Sequence, residues 1–123
     1  MKQHSPGFLK LVTAAKQRIK EISPLALKEK MDSNESFQLI DVRETNEWET
    51  GHIPGAVHLG KGVIERDIEK QISDLKTPIV VYCSGGFRCA LVADNLQAMG
   101  YEQVYSLESG SQGWIDAGFN LVK

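Results

Sequence analysis

The 123-residue sequence has few cysteines, little net charge and no long hydrophobic run. Two cysteines are too few for the disulfide framework of a small secreted scaffold. A formal charge of −2 does not supply the excess of cations that broad nucleic-acid binding requires. Charged residues interrupt every apolar stretch before it reaches the roughly 18 residues of a membrane span. We therefore expect a cytoplasmic protein that uses neither nucleic acid nor a membrane as its partner.

The residues that are present are sufficient for one folded domain. The hydrophobic share of 41% can form a core without disulfides or metal, and the length suits one domain. The charge is unevenly distributed. Residues 1–30 contain seven Lys/Arg and two Glu, a net +5, whereas residues 31–123 contain seven Lys/Arg and fourteen Asp/Glu, a net −7. This asymmetry predicts a basic element attached to an acidic body.

The basic N-terminal segment has the pattern of an amphipathic helix rather than of a secretory signal. Ser5 and Pro6 are suited to the N-cap and the first helical position. Apolar residues then recur at three- and four-residue steps, namely Phe8, Leu11, Val12, Ala15, Ile19 and Ile22. We interpret residues 1–21 as a helical extension that docks on a domain of residues 22–123. A helix that binds a partner or a second copy of the chain is the alternative, and attachment to a membrane surface is less favoured.

Beyond this extension, short apolar runs alternate with helical patterns. Strands are predicted at 37–42, 56–59, 79–82 and 103–107, and helices at 24–31, 63–75, 88–99 and 112–117, with one or two helical turns at 44–49. Alternating strands and helices form mostly parallel sheets with helices on both faces. The predicted fold class is therefore α/β.

Cys83 directly follows the clearest predicted strand, and a predicted helix begins within six residues of it. Ligands of open α/β sheets bind at the carboxyl ends of strands. The loop that follows, Ser84-Gly85-Gly86-Phe87-Arg88, contains adjacent glycines that allow successive N–H groups to point at one anion. A helix N-terminus lowers the pKa of a cysteine. Residues 75–93 also contain no acidic residue, so the loop is predicted to be locally positive and Cys83 to be a reactive nucleophile.

Each cysteine also has an alternative interpretation. Cys83 would be an inert core residue if its thiol were simply buried. We interpret Cys89 as a packing residue, with a resolving thiol that pairs with Cys83 as the alternative. His4, His52 and His58 are scattered, and no Cys-x-x-Cys motif is present, so we predict no metal and no cofactor.

Three segments resemble the signatures of the rhodanese homology family. The first comprises Asp41-Val42-Arg43-Glu44, Glu47-Trp48 and Gly51-His52-Ile53-Pro54-Gly55-Ala56; the second is Cys83 to Arg88; the third is Gly110 to Trp114, with Gly118 beyond. The resemblance covers about residue 22 to the C-terminus. It implies a sheet of about five parallel strands flanked by helices.

The same resemblance implies sulfur transfer through a cysteine persulfide. Cys83 would take the sulfane sulfur from a small anionic donor such as thiosulfate and pass it to cyanide or a thiol. Backbone N–H groups of residues 84–88 would hold the persulfide, Arg88 would attract anionic donors, and Phe87 would shape the mouth of the site. Asp41 and Arg43 would order the neighbouring loops as a charge pair or hydrogen-bond anchor. His52 would hydrogen-bond a neighbouring loop.

The loop length and one departure from the family pattern qualify this implication. The loop of residues 83–88 is one residue shorter than that of related phosphatases, which disfavours phosphatase or arsenate reductase activity. Cys89 stands where the family more often has a hydroxyl residue. Two alternatives to a free-standing enzyme stay open: a persulfide carrier that needs a protein partner, which the basic helix at residues 6–22 motivates, and a redox sensor that uses Cys83 and Cys89.

Overall fold

The computed structural model describes residues 4–123, and these form one α/β unit. The strands are β1 (Lys20–Ile22), β2 (Gln38–Asp41), β3 (Val57–His58), β4 (Ile79–Tyr82) and β5 (Val104–Leu107). The helices are α1 (Pro6–Lys16), α2 (Pro24–Asp32), α3 (Thr45–Thr50), α4 (Ile64–Gln71), α5 (Arg88–Ala98) and α6 (Gly110–Asp116). All strands are parallel and form one sheet in the order β1-β5-β4-β2-β3, which confirms the predicted fold class.

The central strand β4 divides the interior into two cores. Because successive side chains point to opposite faces of a strand, Ile79 and Val81 pack with α4 and α5, whereas Val80 and Tyr82 pack with α2 and α6. All four side chains are buried, which explains the continuous apolar run of this strand. The end of β4 is therefore held from both sides, and the residue that follows it is Cys83.

The N-terminal helix is present, but it ends at Lys16, before the end of the apolar pattern that predicted it. Ile19 packs against the α4/α5 core, whereas Ile22 lies in strand β1 and in the α2/α6 core. Leu11, which the pattern placed on the apolar face, is 61% exposed. Strand β1 was missed because its three residues are too few for a strand pattern and its pairing with β5 is a tertiary contact. It spans the predicted boundary between residues 21 and 22, and that division of the chain stays a prediction.

Helix α1 lies against α5, the helix that begins at the candidate active-site loop. Val12 and Ala15 are buried in this contact region. Just beyond α1, the Arg18 guanidinium donates two hydrogen bonds to the Asp94 carboxylate, at 2.9 and 2.7 Å. None of the helices within residues 4–123 is long and apolar enough to cross a membrane.

The start of α6 supports the active-site loop through its backbone. The N–H groups of Ser111 and Gln112 donate to the carbonyl oxygens of Cys83 and Ser84, at 2.8 and 3.0 Å. Gly110 adopts φ 55°, and a Cβ there would overlap the Cys83 carbonyl oxygen. This close approach explains why a glycine occupies the position.

Two glycine substitutions distinguish the stability lost through this close contact from the stability lost through a positive φ alone. Gly118 also has a positive φ, 95°, but a Cβ there would meet nothing within 4 Å. We expect Gly118→Ala to lower the free energy of unfolding by about 1 kcal/mol, and Gly110→Ala to lower it by about 1–3 kcal/mol more because of the overlap with Cys83. Urea denaturation of both variants measures the difference. Equal losses would contradict a packing role for Gly110.

Candidate active site

Cys83 lies immediately after β4, with its thiol directed at the N-terminus of α5. Its Sγ accepts hydrogen bonds from the backbone N–H groups of Gly86, at 3.2 Å, and Cys89, at 3.4 Å. The sulfur of Cys89 lies 3.4 Å away, and its thiol is the donor of a third hydrogen bond when Cys83 is ionised. Gly86 adopts φ 90°, a conformation that favours glycine, and a Cβ there would lie 2.8 Å from the backbone nitrogen of Ser109. Three donors therefore converge on a side chain that is only 1% exposed.

These contacts lower the pKa of Cys83 to about 6. The hydrogen bond from the Cys89 thiol is the largest cause, and the N–H groups of Cys89 and Gly86 and the charge of Arg88 act in the same direction. Burial opposes them because it disfavours the charged form. The lowered pKa favours the thiolate, the form in which sulfur is nucleophilic.

Cys89 has the opposite environment. Burial and the neighbouring Cys83 sulfur raise the pKa of Cys89 well above its usual range. Its sulfur accepts a hydrogen bond of 3.0 Å from the buried hydroxyl of Ser106 in β5. The opposite pKa shifts favour ionisation of Cys83 and retention of the proton on Cys89.

The charge at the loop differs from the prediction. Arg88 donates to both carboxylate oxygens of Glu47, at 2.8 and 3.0 Å, and to the Ser84 hydroxyl at 2.9 Å. The bond from Arg88 is the main reason that the pKa of Glu47 falls to about 2. The predicted local positive charge was wrong as stated, because Glu47 of α3 reaches the loop from 41 residues away and pairs with Arg88.

Asp41 and Arg43 form a buried ion pair beside the loop. Arg43 Nη2 donates to Asp41 Oδ2 at 2.8 Å and to the carbonyl oxygen of Gly51 at 2.6 Å. Gly51 follows α3, the helix that carries Glu47. The pair thus connects the end of β2 to the element that supplies Glu47, and its supporting role for the site stays a prediction.

A cavity of about 740 Å³ opens above the cysteine. Its walls come from the loop, from α3 and from the start of the chain, and its lining residues are His4, Phe8, Glu47, Cys83, Ser84, Gly85, Phe87 and Arg88. The structure therefore brings the predicted loop residues to one cavity, except Gly86, whose N–H donates to the Cys83 sulfur. Phe87 lies at the cavity wall, between the loop and the N-terminal residues.

Glu47, Ser106 and the N-terminal wall of this cavity were missed as site components. Glu47 belongs to a quoted motif, but nothing in the linear sequence pairs it with Arg88. Ser106 was detectable as a polar residue within a predicted buried strand. His52 does not line the cavity: its ring stacks on Trp48 with centroids 3.6 Å apart, and its buried Nδ1 has no hydrogen-bond partner. It hydrogen-bonds a neighbouring segment through its backbone, whose N–H and carbonyl pair with Val122 at 2.7 and 2.8 Å. Within residues 4–123, no group of three or more His, Cys, Asp or Glu could hold a metal ion.

The chain is similar in sequence to known proteins over most of its length. The profile of the rhodanese-like domain matches residues 23–117. YtwF of Bacillus subtilis (strain 168), named as a candidate sulfurtransferase, is 41% identical over 96 residues, which cover 78% of this chain and 90% of YtwF. YrkF of the same organism, named as a candidate sulfur carrier protein, is 37% identical over 98 residues, covering 78% of this chain but 51% of YrkF.

A solved structure matches most of the chain. The polysulfide-sulfur transferase homodimer of Wolinella succinogenes has a TM-score of 0.79 and 28% identity, covering 94% of this chain and 87% of that one. Other relatives are longer than this chain. It spans about half of YrkF and 30% of a tRNA uridine(34) hydroxylase of Protochlamydia amoebophila.

The thiol of Cys89 can be tested through the titration of Cys83. In the wild type, the rate of Cys83 alkylation by iodoacetamide should rise as pH increases through about 6 and level off above it. In Cys89→Ala the thiol donor is lost, so we expect the midpoint to rise by about one pH unit. Cys89→Ser keeps a donor and should raise it less. An unchanged midpoint in Cys89→Ala would show that the Cys89 thiol does not stabilise the thiolate.

Proposed function

The chain belongs to the rhodanese-like domain family, and on this basis we propose that it is a sulfurtransferase that carries a sulfane sulfur as a persulfide on Cys83. The observation that carries the proposal is the buried Cys83 sulfur, which accepts hydrogen bonds from two backbone N–H groups at a helix N-terminus in a residue that lines a cavity. A relative named as a candidate sulfurtransferase and the polysulfide-sulfur transferase structure support the same class of reaction.

The reaction consists of two nucleophilic displacements. The Cys83 thiolate attacks the terminal sulfur of a donor such as thiosulfate, the sulfur–sulfur bond of the donor breaks, and sulfite leaves with the electron pair. Cyanide or a thiolate then attacks the outer sulfur of the persulfide, which restores the Cys83 thiolate and releases thiocyanate or a new persulfide. Neither step requires an external oxidant or reductant.

The loop residues have defined roles in this proposal. The N–H groups of residues 84–88 stabilise the negative charge on the outer sulfur, as Gly86 does for the Sγ atom itself. Arg88 contributes a positive charge that Glu47 offsets, so its attraction for anionic donors is weaker than that of an unpaired arginine. Asp41 and Arg43 hold the adjoining segments in place.

A protein acceptor is the alternative to a small acceptor. A persulfide at the floor of an open cavity can also be reached by a thiol of a partner chain, and YrkF is named as a candidate sulfur carrier. The two acceptors use the same persulfide and differ only in what enters the cavity.

Replacement of Cys83 tests the proposal directly. After incubation with thiosulfate, the wild type should gain the mass of one sulfur atom, and addition of cyanide should remove it with release of thiocyanate. Cys83→Ser should lose the adduct and reduce thiocyanate formation by roughly 10³-fold or more. Intact-mass spectrometry and a colorimetric thiocyanate assay provide the two measurements.

The control is Cys89→Ser, which keeps the nucleophile and should still form the adduct. Equal turnover by the wild type and Cys83→Ser would refute the assignment. Hydrolysis of p-nitrophenyl phosphate in place of sulfur transfer would favour a phosphatase instead.

A redox sensor is the second candidate function, because the two sulfurs are only 3.4 Å apart. Peroxide would oxidise the Cys83 thiolate to a sulfenic acid with release of hydroxide. The Cys89 thiol would then attack that sulfur, form a disulfide and release water.

Mild peroxide treatment tests the redox-sensor function. A sensor should lose the mass of two hydrogen atoms and recover it with dithiothreitol, because the two thiols have become one disulfide. Cys89→Ser cannot close the bond and should accumulate sulfenic or sulfinic acid on Cys83. If the wild type also forms only these oxygen adducts, the sensor function is wrong.

A further inference from the structure

The cavity above Cys83 is completed by residues from the start of the chain, outside the family profile. His4 and Phe8 line it, together with Phe87 of the loop. The ring centroid of His4 lies 5.2 Å from that of Phe8 and 4.5 Å from that of Phe87, and the two phenylalanine rings are 6.3 Å apart. The three rings form one aromatic cluster, defined here as the aromatic wall.

The position of this wall is held by the body of α1. Val12 and Ala15 are buried, and α1 lies along α5. At the other end of the helix, Lys16 Nζ lies 5.4 Å from the centroid of the Phe87 ring, within the range of a cation–π contact. Both ends of α1 therefore contact the same aromatic ring of the active-site loop, which fixes Phe8 beside the cavity.

The size of the cavity exceeds the needs of a small inorganic donor. Its volume of about 740 Å³ lies within the range of pockets that bind organic ligands, roughly 300–1,000 Å³. A thiosulfate ion would fill a small part of it beside Cys83 and would leave the aromatic wall without a partner. A larger, apolar occupant would cover these rings and exclude water from them.

The charges that line the cavity also favour a donor with an apolar group. Arg88 is the only lysine or arginine among the described residues that line it, and both of its terminal nitrogens are bonded to Glu47. A dianion such as thiosulfate thus meets a cation already paired with a carboxylate. A singly charged donor with an apolar substituent loses less hydration on entry and gains contact with the wall.

We propose that the aromatic wall is a substrate-specificity site, which binds the apolar group of an organic sulfane donor of the thiosulfonate or persulfide class. The proposal rests on the sulfurtransferase function of Cys83 and names its substrate class. His4 and Phe8 are then part of the substrate site, not only of a docked extension.

The chemical step is unchanged by the apolar group. With an organic thiosulfonate, the Cys83 thiolate attacks the terminal sulfur, the bond between that sulfur and the sulfonyl sulfur breaks, and the organic sulfinate leaves with the electron pair. The cysteine persulfide and the sulfinate each carry one negative charge, which equals the charge of the two reactants. The apolar group remains on the leaving sulfinate, on the side of the cavity that the wall occupies.

Two donors with the same charge and the same reacting group test the wall. Benzenethiosulfonate and methanethiosulfonate are compared by kcat/KM, with cyanide as acceptor and thiocyanate as the readout. We expect the wild type to prefer the benzene compound and Phe8→Ala to reduce this preference by about 3- to 10-fold. Phe8→Leu keeps an apolar side chain and should reduce it less. Leu11→Ala, on the exposed face of α1, is the matched control and should leave the preference unchanged.

The outcomes separate this inference from the proposed function. Equal use of the two donors by the wild type, or an unchanged preference in correctly folded Phe8→Ala, would overturn the aromatic wall and leave the sulfurtransferase intact. If neither donor yields thiocyanate, the sulfurtransferase assignment fails. Binding of benzenesulfonate, measured as protection of Cys83 from alkylation, then still tests the wall: protection that Phe8→Ala does not weaken would contradict it.

Discussion

A buried sulfur can carry negative charge only where hydrogen-bond donors take the place of water, and this requirement organises the site around Cys83. Two backbone N–H groups and the Cys89 thiol supply these donors. Gly86 brings its N–H to the sulfur at a position where the backbone has a positive φ and a Cβ would meet Ser109, and Cys89 lies in the first turn of α5, where its N–H and thiol are both close to that sulfur. The reactivity of the thiolate thus depends on the geometry of one short loop.

That loop is in turn held by elements that are distant in sequence. Backbone N–H groups of α6 bind the carbonyl oxygens of Cys83 and Ser84, and Gly110 makes the close approach possible. The Asp41–Arg43 pair connects β2 to the segment after α3, and α3 presents Glu47 to Arg88. The Asp41–Arg43 pair is buried, so breaking it would leave an uncompensated charge in the interior, whereas the Glu47 and Arg88 side chains are each 29% exposed.

Cys89 and the N-terminal helix gain significance from their position in three dimensions. As a residue type, Cys89 is compatible with simple packing, yet its thiol lies between Ser106 and the Cys83 sulfur. The amphipathic pattern of α1 predicted a docked helix, and only the packing on α5 places Phe8 at the cavity that contains Cys83. Cys89 and Phe8 thus contribute to a site whose central loop consists of residues 83–88.

Local pattern by itself determined the parts of this protein that depend on neighbouring residues: the β4 strand, the loop of residues 83–88, the helix that begins at Arg88 and the α/β class. Each follows from hydrophobic run length, glycine placement or alternation within a short window. Tertiary structure alone decided the strand β1, the Glu47–Arg88 pair and the aromatic wall. These three features depend on contacts between residues that are tens of positions apart in the sequence. Such contacts form only once the sheet has formed, so no local sequence pattern indicates them.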